Sequence, residues 1–231
     1  MCRALRKKGK ITKPYKFIAI GGDGGTYDIG LQSLSGAMER GHDLVYICYD
    51  NGAYMNTGVQ RSSAAPLGAT TTTTPAGELS FGRQGNRKDL SRIMVAHNIG
   101  YVAQASIHDP VDLSEKLKKA IELDGPAFIN LLSPCIPGWK IGPDMAVEVA
   151  RLGVECRYWP LYEVIDGAYK LSASPKQTCR FGTGWRFRVG SGICSSRNTR
   201  MWWTHSRRSG PELALDHQAG GAVEVLAGHV N

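Results

Sequence analysis

The sequence predicts an α/β domain with a mostly parallel sheet and helices on both faces. Three observations support this fold class: short apolar runs that end in glycine or polar residues, helical patterns between these runs, and 42% hydrophobic residues in a chain of 231. Strands that are buried on both faces read as continuous apolar runs. The apolar runs are too short to span a membrane, and this composition can bury a core of ordinary size.

The first elements predict a βαβ unit with a right-handed crossover. Residues 3–10 read as the end of a helix, and KFIAI at 16–20 reads as a buried parallel strand. LVYICYD at 44–50 reads as a second buried strand. Between the two strands, residues 28–40 are predicted to form a helix that ends at Gly41. Its predicted inward positions are Leu31, Leu34, Ala37 and Met38.

A long irregular segment, 51–88, follows the second strand and is rich in Gly, Thr and Ser. A loop of this length in a compact fold is usually functional. After this segment the sequence predicts a helix at 89–98 and a strand at 100–106. Asp109 is predicted to cap the next helix, which carries Leu113, Leu117 and Ile121 on one face. The remaining predicted elements are a strand at 126–133, a helix at 143–155 and a hairpin at 161–171.

The composition changes after Lys176, and we predict a boundary there between a domain at 1–176 and a tail at 177–231. The tail has no lysine, no sustained hydrophobic period and three of the five tryptophans. This pattern favours a disordered or out-of-frame tail. An RNA-binding tail with stacking aromatic residues is the alternative.

Charge and cysteine content exclude several function classes. The net charge of +8 is shared equally between residues 1–176 and 177–231, so it does not indicate a nucleic-acid-binding face. The basic N-terminal run has no apolar core and is not a secretory signal. None of the six cysteines belongs to a C-x-x-C pair, so we expect thiols and no complete zinc or iron–sulfur site from this chain. We predict a cytoplasmic protein without nucleic-acid or membrane partners.

Glycines surround Asp23 in the motif GDGG at 22–25, between the first strand and the first crossover helix. Glycine lets the backbone approach an anion closely, and a helix N-terminus offers N–H groups to phosphate. Asp23 would repel phosphate, so a divalent cation between the two explains the pattern. The dinucleotide motif G-x-G-x-x-G fails because Tyr27 occupies its last glycine position. An ordinary tight turn is the alternative for this motif taken alone.

The second part of the predicted site follows from topology. The strand that ends at Asp50-Asn51 opens on the same sheet edge as Asp23, where α/β sheets bind ligands. Because neighbouring strands lie about 4.8 Å apart, Asp23 and Asn51 can reach one Mg²⁺ with bonds of about 2.1 Å. The irregular backbone at Gly52-Ala53 can add a carbonyl oxygen.

G-D-G around Asp23, followed by Asn51 at the end of the next strand, resembles the thiamine diphosphate signature. The stretch from GDGGTYDIG to TTTTTPAG, with LLSPCIPGW and VARLGVECRYWPLYEV, resembles the β subunit of pyruvate:ferredoxin oxidoreductase and its 2-ketoacid relatives, over about Lys16 to Leu171. The resemblance implies the thiamine diphosphate-binding fold. It also implies that a 2-ketoacid, with pyruvate as the first candidate, is oxidatively decarboxylated to an acyl-CoA. The electrons would pass to ferredoxin.

The resemblance further implies roles for individual residues. The implied Mg²⁺ ligands are Asp23, Asn51 and the carbonyl of Ala53. The residues that make room for the diphosphate are Gly22, Gly24 and Gly25. The residues that line the cofactor near its thiazolium are Tyr54, Met55, Asn56 and Thr57, with Asn56 as the catalytic contact to substrate. Cys135 corresponds to one ligand of a [4Fe-4S] cluster. Without the resemblance, Asn56 and Thr57 could form a turn and Cys135 could be a buried thiol.

The implied partners are α-, γ- and δ-type subunits of the same oxidoreductase, ferredoxin, coenzyme A and a 2-ketoacid. Family β subunits usually begin with a longer segment that carries further cysteines, and this sequence departs from the family pattern after Ser174. We therefore expect a fragment with an incomplete cluster site that does not act alone. The alternative hypothesis is a folded cofactor-binding module without turnover.

Overall fold

The computed structural model describes residues 2–13 and 15–172, and the backbone of two short strands at 187–189 and 192–194. Most of the predicted tail, 177–231, lies outside the described residues, so its disorder stays a prediction. In the described part of the chain, every helix is too short or too polar to cross a membrane.

The strands in chain order are β1 (Phe17–Gly22), β2 (Leu44–Asp50), β3 (Ala53–Tyr54), β4 (Gln60–Arg61), β5 (Tyr101–Ser106), β6 (Ala127–Leu132), β7 (Tyr162–Ile165), β8 (Ala168–Leu171), β9 (Phe187–Val189) and β10 (Gly192–Cys194). Six of them form the central sheet in the order β1-β2-β6-β5-β7-β8. β1, β2, β6 and β5 are parallel, whereas β7 and β8 are antiparallel additions. The sheet is therefore mostly parallel, as predicted.

The helices in chain order are α1 (Cys2–Lys7), α2 (Leu31–Glu39), α3 (Leu90–Val95), α4 (Pro110–Glu122), α5 (Ile136–Trp139) and α6 (Ala146–Glu155). The predicted helix at 28–40 is divided, because a π-helical turn at Gly25–Ile29 precedes α2. The predicted cap of α4 is confirmed: the Asp109 side chain accepts the Asp112 N–H at 2.9 Å, with Pro110 in the first turn. The antiparallel pair β7–β8 turns at Asp166-Gly167, and both residues have positive φ.

Apolar side chains bury both faces of the sheet against helices. One face contributes Cys48, Val102 and Phe128 to a core that includes Leu34, Met38, Leu90 and Met94 from α2 and α3. The other face contributes Val45, Ile47, Ala103 and Ile129, against which Leu113 and Leu117 of α4 pack. Ile121, predicted to share that face of α4, is 43% exposed.

The prediction that the first strand is buried is wrong. Phe17 and Ile18 are each 52% exposed and Ile20 is 70% exposed. β1 lies at the edge of the sheet, and among the described strands it pairs with β2 alone. An apolar run indicates that a strand favours burial, but the number of neighbours that cover it depends on its position in the sheet.

Candidate active site

The carboxyl ends of β1 and β2 bring Asp23 and Asn51 together, although they are far apart along the chain. The backbone N–H of Asn51 donates to Asp23 Oδ1 at 3.3 Å. The parallel register pairs Gly22 with Tyr49, so both strands end at the same edge of the sheet. The predicted meeting of these two residues is thus present in the structure.

One end of the Asn51 side-chain amide lies 2.8 Å from two acceptors, Asp23 Oδ1 and the carbonyl oxygen of Ala53. With its nitrogen at that end the amide donates to both, and with its oxygen there three oxygens converge, which we call the oxygen triad. Adjacent oxygen ligands of an octahedral Mg²⁺ with bonds of about 2.1 Å lie about 3 Å apart. Three such oxygens repel one another unless a cation or a proton lies between them, or the amide turns over and donates both contacts. The donor set therefore fits a small divalent cation.

Asp23 is almost completely buried, with 1% of its surface exposed. The Ser62 hydroxyl donates to its other oxygen, Oδ2. Burial raises the pKa of Asp23 to about 7, the nearby charge of Asp50 adds to the rise, and the hydrogen bonds from Ser62 and Asn51 oppose it. A buried carboxylate with a raised pKa stores an electrostatic cost that a bound cation would remove.

Asp50 forms a second buried carboxylate directly behind the oxygen triad. Arg87 Nη2 donates to Asp50 Oδ2 at 2.5 Å, and the N–H of Gly52 donates to Asp50 Oδ1 at 3.2 Å. Burial raises the pKa of Asp50, and the Arg87 guanidinium opposes that rise. Because Asp50 faces a guanidinium and Asp23 faces neutral donors, we assign the proton of the cation-free pair to Asp23.

Arg87 lies in an aromatic enclosure. Its guanidinium carbon is 4.3 Å from the ring centroid of Trp159, and its Nη2 donates to the Tyr27 hydroxyl at 2.7 Å. The same hydroxyl accepts from Asn130 Nδ2 of β6 at 2.7 Å. Arg87 thus connects the end of the irregular segment to the sheet and to the turn that carries Asn51.

The glycines at 22–25 have different surroundings. A Cβ added to Gly24 would lie 2.4 Å from the ring of Tyr54, whose hydroxyl donates to the Gly24 carbonyl at 2.8 Å. A Cβ at Gly22 or Gly25 would meet no atom within 4 Å. Gly24 therefore permits the close packing of Tyr54, while Gly22 and Gly25 border open space that a diphosphate could occupy.

A partly open cavity lies beside the oxygen triad. Its lining residues are Asn51, Gly52, Ala53, Met55, Val59, Pro66, Ala69, Thr70, Thr71, Gly138, Trp139 and Tyr158. Met55 lines this cavity, and its place beside a cofactor stays a prediction. Asn56 and Thr57 are exposed and lie outside this lining. The Thr57 hydroxyl contacts Gln60 Oε1 at 2.5 Å, so in this structure Thr57 stabilises a local turn.

Cys135 immediately precedes α5 and is half-buried. The indole N–H of Trp139, in the same short helix, donates to the Asn51 carbonyl at 2.7 Å. A Cβ at Gly138 would lie 2.1 Å from Met55 Sδ, so a side chain at this position would require the end of the Met55 side chain to move. Among the described residues, no group of three His, Cys, Asp or Glu side chains could hold a metal ion. The cluster role of Cys135 stays a prediction.

Sequence reasoning missed Asp50, Ser62, Arg87 and Trp139 as parts of the site. For Asp50 a signal existed, because it stands beside Asn51 at the end of β2. The other contacts join distant parts of the chain through an irregular segment that has no readable period.

Comparison with known proteins identifies the family. The sequence profile for the thiamine pyrophosphate enzyme, C-terminal TPP binding domain, matches residues 8–131. The chain belongs to the thiamine pyrophosphate (TPP) enzyme family. The matched region of this TPP enzyme domain contains the whole oxygen triad and both buried carboxylates.

Three relatives show where in the TPP enzyme family the chain lies. Pyruvate synthase subunit PorB of Methanothermobacter thermautotrophicus is 54% identical over 175 residues, 76% of this chain and 60% of the relative. PorB of Thermotoga maritima is 50% identical over 177 residues, 76% of this chain and 55% of the relative. Ketoisovalerate oxidoreductase subunit VorB of Pyrococcus furiosus is 54% identical over 176 residues, 76% of this chain and 57% of the relative.

These matches confirm the resemblance to β subunits of 2-ketoacid oxidoreductases. The chain spans a little over half the length of the relatives. A solved 2-oxoglutarate:ferredoxin oxidoreductase from Magnetococcus marinus is 28% identical, with a TM-score of 0.46 over 57% of this chain and 51% of that chain.

Proposed function

We propose that this chain binds thiamine diphosphate through Mg²⁺, as the cofactor-binding part of a 2-ketoacid:ferredoxin oxidoreductase β subunit. The observation that carries this proposal is the meeting of Asp23 Oδ1, the Asn51 side-chain amide and the Ala53 carbonyl oxygen at the carboxyl edge of the sheet, since the amide can turn its oxygen to a cation there. They would be the protein ligands of the cation, and the diphosphate would add further oxygens. Open space beside Gly22 and Gly25 supports the same placement.

The chain's own contribution would be binding and orientation. When bound, TPP supplies the carbanion and the electron sink that decarboxylation of a 2-ketoacid requires. Asp50, Arg87 and Trp139 would keep the Asn51 turn in place through their hydrogen bonds. The walls of the neighbouring cavity, with Met55 and Val59 among them, would exclude water from the reacting carbon.

Pyruvate is the substrate we propose first, with 2-ketoisovalerate as the second candidate. The relatives are named pyruvate synthase and ketoisovalerate oxidoreductase subunits, and the cavity lining carries no charged side chain. A small aliphatic 2-ketoacid suits such a lining. Coenzyme A, ferredoxin, partner subunits, Cys135 as a cluster ligand, Asn56 as a substrate contact and a cytoplasmic location remain part of the proposal.

A cofactor-binding module without turnover is the second candidate. Purification with the partner subunits separates the two candidates. The oxidoreductase proposal predicts 2-ketoacid-dependent viologen reduction that needs coenzyme A, whereas the module binds TPP and shows no reduction.

We expect calorimetric titration to show TPP binding with Mg²⁺, and binding at least about 100-fold weaker with EDTA in its place, because the buried carboxylate and the diphosphate repel each other without a cation. Titration with thiamine, which lacks the diphosphate, serves as the control and should give weak binding in both buffers. Equal TPP affinity with and without the cation would contradict the proposed site.

Cation binding should depend on pH. Because the pKa of Asp23 is about 7 in the cation-free protein, the cation must displace a proton below that pH. We expect the apparent affinity for Mn²⁺ to rise by up to about tenfold per pH unit from about pH 5 to about pH 7, and then to level off. Electron paramagnetic resonance measures free Mn²⁺ directly, and leaving out TPP removes the titration of its phosphate. A flat profile would show that Asp23 is already ionised.

The stability of the cation-free protein should fall as the pH rises, whereas cation affinity rises. A carboxyl group whose pKa is raised by folding binds more protons in the folded state than in the unfolded state. The contribution of protonated Asp23 to the free energy of unfolding is therefore present at low pH and is lost as the pH rises from about 4 to about 7. Saturating cation and TPP should remove this loss in thermal unfolding measured at about pH 7.

A further inference from the structure

We propose that Ser62 makes Asp23 a one-oxygen ligand and thereby sets the preference of the site for Mg²⁺ over larger cations. This inference rests on the cation site proposed above. Ser62 is completely buried, and its hydroxyl contacts Asp23 Oδ2, the carboxylate oxygen that does not face Asn51. In this role Ser62 is a positioning residue that acts through Asp23.

The direction of the Ser62 hydroxyl hydrogen follows from its other contact. The backbone N–H of Ala64 donates to Ser62 Oγ at 3.3 Å. Because that contact uses a lone pair of Oγ, the hydroxyl hydrogen remains for Asp23 Oδ2. The carboxylate is therefore held from behind, with Oδ1 directed toward Asn51 and the Ala53 carbonyl.

A second clamp holds Ser62 itself. Arg83 Nη1 donates to the Ser62 carbonyl at 2.9 Å and to the Ala65 carbonyl, and Arg83 Nη2 donates to the Asn86 carbonyl at 2.6 Å. Arg83 is 7% exposed, so these charge-assisted bonds lie in a largely dry environment. The rigid fork of one arginine thus fixes the turn that presents the Ser62 hydroxyl.

Occupation of Oδ2 has a consequence for the choice of cation. Mg²⁺ requires near-ideal octahedral geometry and usually takes one oxygen from each carboxylate, whereas Ca²⁺ accepts longer bonds and two-oxygen binding. A hydroxyl that holds Oδ2 opposes the rotation that would bring both oxygens to one ion. Ser62 thereby disfavours Ca²⁺ without touching the cation.

The test is the Ser62→Ala variant of the full chain, titrated with TPP at increasing Mg²⁺ and, separately, at increasing Ca²⁺. We expect the Mg²⁺ concentration at half-saturation to rise about tenfold, the size of effect typical of residues that orient a metal ligand. The Ca²⁺ concentration at half-saturation should change less than about threefold, so the preference of the site for Mg²⁺ over Ca²⁺ falls. Saturating Mg²⁺ should restore full TPP binding.

Ser63→Ala is the matched control. Its backbone N–H donates to Asp28 Oδ2 at 2.9 Å, and no hydrogen bond of its hydroxyl to a described residue is present. We expect this variant to bind both cations like the wild type. Ser62→Cys keeps the size of the side chain with a weaker donor and should give an intermediate Mg²⁺ value, which keeps the test decisive if Ser62→Ala does not fold.

The outcomes are distinguishable. A parallel loss for Mg²⁺ and Ca²⁺ in Ser62→Ala and Ser62→Cys, or unchanged values in both, would overturn the role of Ser62 while leaving the proposed function intact. Absence of cation-dependent TPP binding in the wild type would overturn the proposed function and this inference together.

Discussion

Asp23→Asn is expected to abolish cation-dependent TPP binding and, at the same time, to make the cation-free protein more stable. The amide keeps the shape of the side chain but removes the negative charge that holds a divalent cation. We expect the affinity for TPP with Mg²⁺ to fall at least about 100-fold, the upper end of the loss seen for residues that merely orient a ligand. Calorimetric titration measures this loss.

The gain in stability has the same electrostatic origin. In the folded protein the carboxylate of Asp23 is buried beside Asp50, which is why its pKa lies near 7. Asparagine removes the cost of burying that charge, so we expect the free energy of unfolding at neutral pH to rise by about 2 kcal/mol in the absence of cation. Urea denaturation monitored by circular dichroism measures the change.

Asp28→Asn provides a control with the same chemical change nearby. Asp28 accepts the Ser63 N–H and lies 3.8 Å from Lys88 Nζ, outside the oxygen triad. We expect its Mg²⁺ dependence to resemble that of the wild type and its stability to fall slightly. If Asp23→Asn kept wild-type TPP affinity, or if it destabilised the cation-free protein, the electrostatic account of the site would be wrong.

Among the substitutions proposed here, Arg87→Met is expected to lower the free energy of unfolding the most. The substitution leaves Asp50, 1% exposed, without its guanidinium partner, and removes the hydrogen bond to Tyr27 and the stacking on Trp159. Breaking a buried ion pair by removing one partner costs about 3–5 kcal/mol. We expect a fall of this size in the free energy of unfolding, measured by urea denaturation of the cation-free protein.

Arg151→Met is the matched control, because it removes an arginine with two carboxylate partners, Glu148 and Glu155, on the exposed side of α6. Exposed pairs of this kind contribute about 0–1 kcal/mol. The double variant Arg87→Met/Asp50→Asn should recover part of the loss, since no unpaired charge is left buried. Equal effects of Arg87→Met and Arg151→Met would show that the Arg87–Asp50 pair is not a stabilising element.

Much of the fold could be predicted because its signals are local. The apolar run at 44–50 and the cap at Asp109 each indicate an element from residues that are neighbours in the chain, and β2 and α4 lie where they were predicted. The exposure of β1 was mispredicted for the same reason. Its apolar residues resemble those of a central strand, and its place at the sheet edge is set by pairing with distant strands.

The candidate site divides in the same way. Asp23 and Asn51 could be paired from the sequence because a helical crossover returns the second strand beside the first, parallel to it. Ser62 and Arg87 could not, because they lie in the irregular segment and are 39 and 37 residues from their partners Asp23 and Asp50. Hydrogen bonds between such segments leave no periodic trace in the sequence.

The sequence by itself determined which strands end in a carboxylate and an amide, and therefore which edge of the sheet can receive a cation and a diphosphate. Only the tertiary structure decided which oxygen of Asp23 faces that edge, how far its pKa is raised, and which guanidinium balances Asp50. The physical reason is that strand and helix formation depends on the local period of apolar side chains. The orientation and ionisation of a buried carboxylate depend on every polar group around it, and the fold brings those groups from distant parts of the chain.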